Sequence, residues 1–104
     1  MIEKHYMLIT KGSCGYCRKA IELLKENNLS FAHTDMTNAE KLLDLTKEQS
    51  NWTTVPIIWE QVLQWENNQP KVVENSFVGG YTELAESLGY TELSESEGET
   101  EEND

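Results

Sequence analysis

The two cysteines of this chain stand three residues apart, as Cys14-Gly15-Tyr16-Cys17, and that spacing limits the fold more than any other feature. A bridge across so short a loop removes little freedom from the unfolded chain, so it adds little stability. The pair therefore reads as a chemical device rather than a staple, and the fold needs a hydrophobic core of its own. At 104 residues that means one small domain. The residues before the pair, His5 to Thr10, have a near-continuous apolar middle, which predicts a strand covered on both faces. Lys11-Gly12-Ser13 breaks it. Beyond the break, Cys17, Ala20, Ile21 and Leu24 fall on one helical face, predicting a helix from about Cys14 to Glu26 that ends at Asn27-Asn28.

The rest of the chain continues the alternation. Ser30 to Asp35 reads as a second strand. Thr37, three residues before Glu40, has the spacing of a capping box, and Ala39, Leu42, Leu43 and Thr46 mark a second amphipathic helix ending near Ser50. Pro56 opens a third strand whose apolar pattern runs on through Val62, Leu63 and Trp65. Asn67 to Pro70 is a turn, and Lys71 to Val78 returns as a fourth strand. After Gly79-Gly80, Tyr81, Leu84, Ala85 and Leu88 form a third helical stripe, with Gly89 as its cap. The order β-α-β-α-β-β-α implies an α/β fold with a mixed four-stranded sheet flanked by helices. Its first βαβ unit should make a parallel, right-handed crossover.

Charge divides the chain. Residues 1–90 read as the folded domain, with eight Lys and Arg against twelve Asp and Glu. Residues 91–104 hold seven acidic residues and no basic one, and their composition predicts a disordered acidic tail that adds solubility. A tail that serves as bait for partner proteins is the competing reading. An excess of carboxylates argues against nucleic-acid binding, which needs clustered Lys and Arg. The sequence has no signal-peptide pattern and no apolar run of about 18 residues, so a reducing cytoplasm is the expected compartment.

In such a compartment a CxxC pair points to catalysis or metal binding. Cys14 falls where a strand gives way to a helix. Unpaired backbone N–H groups and the positive end of the helix dipole favour thiolate over thiol there. Such settings bring a cysteine pKa from about 8.5 into the range of roughly 3.5–7.5. Lys11, Arg18 and Lys19 add positive charge nearby. Cys17, one turn on and heading the apolar stripe, should be the more buried. Cys14 is thus the expected nucleophile and Cys17 the resolving thiol. A zinc site is a weaker reading, because the pair supplies two of the usual four ligands. His5 and His33 lack the spacing of a second pair and read as strand residues.

Three segments together resemble the glutaredoxins, within the thioredoxin-like fold: Lys11-Gly12-Ser13-Cys14-Gly15-Tyr16-Cys17 after a strand, Thr54-Val55-Pro56 opening the third strand, and Gly79-Gly80-Tyr81-Thr82-Glu83 before the last helix. In element order the resemblance covers about residues 5–89. It implies a glutathione-coupled thiol–disulfide oxidoreductase with glutathione as reducing co-substrate. It implies a cis bond before Pro56, placing the Val55 backbone beside the thiols. It assigns glutathione contacts to Lys11, Tyr16, Thr54, Val55, Pro56, Tyr81 and Thr82. The implied partners are glutathione and disulfide-containing proteins, with no membrane, and the chain is expected to act as a monomer. Phage-encoded members look comparable, which brings ribonucleotide reductase in as a candidate substrate.

Each assignment has a plainer counterpart. Pro56 can simply open a strand, Gly79-Gly80 can be an ordinary turn, Lys11 a solvated charge and Tyr16 a packing residue. Gly15 and Thr82 depart from the family pattern, where Pro and Asp are frequent. Gly15 is the one support for an iron–sulfur cluster-binding alternative; otherwise no metal is expected. A thioredoxin-like protein reduced by a flavoprotein reductase is the other alternative. Lys47 and Gln49 are candidates for the glycine carboxylate of glutathione, and Trp59 and Trp65 read as core or hairpin packing.

Overall fold

The computed structural model describes residues 1–90, so the expected tail at 91–104 lies outside the described residues. Seven elements follow the predicted order: β1 (Ile2–Thr10), α1 (Gly15–Glu26), β2 (Ser30–Asp35), α2 (Glu40–Ser50), β3 (Ile57–Glu66), β4 (Gln69–Gly79) and α3 (Tyr81–Ser87). They build one mixed sheet in the order β2-β1-β3-β4. The β1–β2 pair is parallel, while β1–β3 and β3–β4 are antiparallel.

The strand alternation of β1 sorts its side chains to two faces. Tyr6 and Leu8 point to one core with Ala20, Leu23 and Leu24 of α1, Ile58 of β3, and Leu84 and Ala85 of α3. Ile9 points to the other, where Leu43 of α2 packs with Met36, Val55, Ile57 and both cysteines. Two helices therefore cover one face and a single helix the other. Each fully buried aliphatic side chain here contributes about 1.5–3 kcal/mol.

Asparagines with positive φ turn the chain at three places. Asn28 lies beyond α1 and Asn51 beyond α2, while Asn67 and Asn68 together form the two-residue link between β3 and β4. Two consecutive positive-φ residues match the twist of an antiparallel hairpin.

The structure corrects four expectations. β1 begins at Ile2 rather than His5, because Ile2 to Lys4 pair with Val62 to Gln64 of the long third strand. β4 begins at Gln69, so Pro70 lies inside a strand; β4 is a sheet edge, where a missing N–H is tolerated. Thr37 does not cap α2, whose N-cap is Ala39 without a side-chain bond. Leu42, read as part of the buried stripe of α2, is exposed; only Leu43 of that helix is fully buried.

Candidate active site

The strand-to-helix junction after β1 is tied down by Thr37. Its Oγ1 accepts from the Gly12 N–H at 2.7 Å and donates to Asp35 Oδ1, and the Thr37 N–H donates to the same carboxylate at 2.8 Å. The hydroxyl bond, then the backbone bond, hold the Asp35 carboxyl below the usual carboxylate range. The residue expected to cap α2 instead fastens the loop that presents Cys14.

Cys14 is the N-cap of α1, with extended backbone (φ −102°, ψ 112°). The Cys17 N–H donates to Cys14 Sγ at 3.0 Å, so the sulfur does what a Ser or Asp oxygen does at other N-caps. Cys14 and Cys17 form a disulfide, with Cα atoms 5.2 Å apart. Both are buried, Cys14 at 5% exposure and Cys17 at 2%. The Val55 carbonyl oxygen lies 3.6 Å from Cys14 Sγ, and the Val55-Pro56 peptide is cis.

Tyr16 packs against the core cluster that holds the disulfide. Tyr16, in the first turn of α1, stacks on Tyr81 in the first turn of α3, with centroids 5.9 Å apart. Lys19 lies over the Tyr16 ring at 5.2 Å. Burial, then the nearby Glu26 and Tyr90, raise the Tyr81 hydroxyl above the ordinary tyrosine value. Under α3, Glu83 Oε1 accepts from the Gly80 N–H at 3.0 Å.

The structure thus gathers Cys14, Cys17, Tyr16, Val55 and Pro56, and brings Tyr81 in through Tyr16. Lys11 enters through its backbone, whose carbonyl accepts from the Cys14 N–H at 3.4 Å. Thr54 and Thr82 are exposed, and among the described residues no hydrogen bond ties either to this group. Gln49 lines a cavity with Trp59 and Phe77, on the α2 side of the sheet. His5 and His33 are strand residues, with Nδ1 at 2.7 Å from Ser30 Oγ and at 3.4 Å from Thr10 Oγ1. Among the described residues, no group of His, Cys, Asp and Glu is placed to hold a metal ion, and no helix is long and apolar enough to cross a membrane.

Sequence reasoning missed Trp52. Its ring lies 3.2 Å from where a Cβ on Gly79 would be and packs edge-on to Phe77, so it forms the floor beneath the Gly79-Gly80 turn. Its only signal was position, two residues before Thr54-Val55-Pro56.

Comparison with known proteins agrees with this geometry. A family model described as glutaredoxin matches residues 6–63. Glutaredoxin 3 of Danio rerio is 34% identical over 58 residues, covering 51% of this chain and 18% of that protein. Monothiol glutaredoxin-S17 of Arabidopsis thaliana is 34% identical over 58 residues, covering 51% of this chain and 12% of that protein. The chain therefore matches less than a fifth of the length of either relative. The solution structure of a glutaredoxin from Brucella melitensis shares the fold, with a TM-score of 0.55 and 24% identity over 82% of this chain and 80% of that one. With a thioredoxin-like sheet and a disulfide at the head of its first helix, and with more than half its length inside the family model, the chain belongs to the glutaredoxin family.

Proposed function

We propose that the protein is a glutathione-coupled thiol–disulfide oxidoreductase acting in a reducing cytoplasm. The observation that carries this reading is the Cys17 N–H directed at Cys14 Sγ at the head of α1. A hydrogen bond to sulfur and a helix N-terminus both favour the anion, which is the attacking species.

In the reduced protein the Cys14 thiolate attacks one sulfur of a substrate disulfide. The other sulfur leaves as a thiolate, and a mixed disulfide remains on Cys14. The Cys17 thiolate then attacks Cys14 Sγ, releases the second substrate thiol and closes the Cys14–Cys17 disulfide. Two glutathione molecules return the pair to dithiol and become glutathione disulfide, so two electrons pass from glutathione to substrate. Tyr16, Tyr81 and the Val55 backbone would seat glutathione, with Lys11, Thr54, Pro56 and Thr82 as the remaining contacts; the Val55 carbonyl near Cys14 Sγ and the Tyr16–Tyr81 stack support this reading. Ribonucleotide reductase is one protein disulfide such an enzyme would serve.

The test is glutathione-dependent reduction of a small glutathione mixed disulfide by the purified protein. Cys14→Ser should abolish turnover, and Cys17→Ser should retain it, since glutathione can resolve the intermediate. Full activity of Cys14→Ser would reject the assignment of the nucleophile.

A further inference from the structure

Tyr16 stands between the two cysteines in the chain, so whatever orients its ring acts on the segment that links them. It lies in the first turn of α1 and is half-buried. Cys17, Ala20 and Leu24 of the same helix turn inward and are buried. Tyr16 and Lys19 occupy the neighbouring flank, three residues apart and nearly one turn along the helix. Helical side chains lean toward the N-terminus, so the Lys19 stem reaches back over Tyr16. Its ammonium lies 5.2 Å from the centroid of the Tyr16 ring.

Lys19 has a second candidate partner on its own helix. Glu22 stands three residues further on, a spacing that allows an ion pair. Among the described residues the ion pair is that of Lys4 with Glu60, and Lys19 sits on the ring instead. The negative face of the ring attracts the ammonium, which stays hydrated on its outer side because Lys19 is exposed.

Tyr81 supplies the backing. It opens α3 and packs against the core of Tyr6, Leu24 and Leu84, whereas Tyr16 packs against the core of Cys14, Cys17 and Val55. The two rings stack with centroids 5.9 Å apart and planes inclined by 28°. The stack therefore joins the two cores, and Tyr16 meets a ring that is anchored in the other one.

A free tyrosine ring samples several rotamers, and a ligand that needs one of them must offset the entropy of fixing it. A ring already held by a cation and a second ring is fixed in advance. We propose that Lys19 is a positioning residue, which holds the Tyr16 ring against Tyr81 in the orientation that receives substrate. The contact stands on the geometry above; its effect on turnover rests on the glutathione reading, in which Tyr16 seats glutathione.

The experiment has two readouts on the full chain. The first is the NMR shifts of the Tyr16 ring protons in the disulfide form, which the ring current of Tyr81 displaces while the rings are stacked. Lys19→Gln should move them toward the values of free tyrosine, and Lys19→Arg should keep them, because a guanidinium also stacks on an aromatic face. Unmoved shifts in Lys19→Gln overturn the proposal. The second readout is reduction of the small glutathione mixed disulfide. Lys19→Gln should raise KM by roughly two- to fivefold with little change in kcat, the range of one exposed cation–π contact. Lys19→Arg should restore KM. In a Tyr16→Leu background, Lys19→Gln should add nothing further, because the ring through which it acts is gone. An unchanged KM in Lys19→Gln overturns the proposal. So does an equal rise in both backgrounds, which would make Lys19 a plain charge acting on the substrate or the thiolate. If the unmodified protein reduces no mixed disulfide, the functional reading fails and the ring shifts still decide whether Lys19 holds Tyr16.

Discussion

The backbone N–H of Cys17 points at Cys14 Sγ from 3.0 Å, so the sulfur expected to act as nucleophile is also the cap of α1. When the disulfide is reduced, this bond and the helix dipole both stabilise negative charge on that sulfur. The expected outcome is one thiol that ionises well below the ordinary cysteine value of about 8.5, seen as thiolate absorbance during titration of the reduced protein. Cys14→Ser should remove that transition, and Cys17→Ser should leave it in place. Loss of the transition in Cys17→Ser alone would reverse the two roles.

Gly79 adopts φ +121°, and a Cβ there would lie 3.0 Å from Glu83 Cγ and 3.2 Å from Trp52. Gly79→Ala combines backbone strain with a clash beneath the turn and should cost about 2 kcal/mol or more. Gly89 also has positive φ (+94°), but an added Cβ would meet nothing within 4 Å. Gly89→Ala should cost only the strain of a left-handed residue, about 1 kcal/mol. Denaturant unfolding of both variants gives the comparison, and equal losses would show that the clash does not matter.

Tyr6 is buried and donates its hydroxyl to Glu60 Oε2 at 2.7 Å. Burial first, then the hydrogen bond and charge of Glu60, push its ionisation far above the ordinary value of 10.0. The folded state thus holds this proton more tightly than the unfolded chain does. Its contribution is complete below the unfolded tyrosine pKa and is lost as pH rises above it, by about 1.4 kcal/mol per pH unit. Tyr6→Phe should flatten the alkaline limb of the stability–pH curve above pH 10. An unchanged limb would show that Tyr6 ionisation does not drive alkaline unfolding.

Thr37 holds both Gly12 and Asp35, so Thr37→Ala should loosen the segment that presents Cys14 while leaving the core intact. Hydrogen exchange at the Gly12 amide should accelerate, and exchange at core amides such as Leu8 should not. The Asp35 carboxyl, held low by its bonds to Thr37, contributes stability above the ordinary carboxylate pKa and loses it as pH falls through the lowered value. Asp35→Asn should therefore remove part of the acid-side loss seen in unfolding curves. If the acid limbs coincide, the Asp35 bonds do not stabilise the fold.

Local pattern alone determined the element order, the CxxC at the head of α1 and the asparagine that ends that helix. These are short-range matters: side-chain periodicity, breakers and caps act within a few residues. The helical face of α2 was harder to read, because Leu42 and Leu43 are both apolar and only sheet packing decides which is buried. Thr37 had the spacing of a cap, yet its hydroxyl was drawn to Gly12, twenty-five residues away. Trp52 under the glycine turn and the Tyr16–Tyr81 stack likewise join residues far apart in the chain. The apolar face of the hairpin depends on one extra residue in β4, and that register exists only once β3 and β4 have paired. Sequence fixes which residues can form an element; long-range pairing decides which face each one presents.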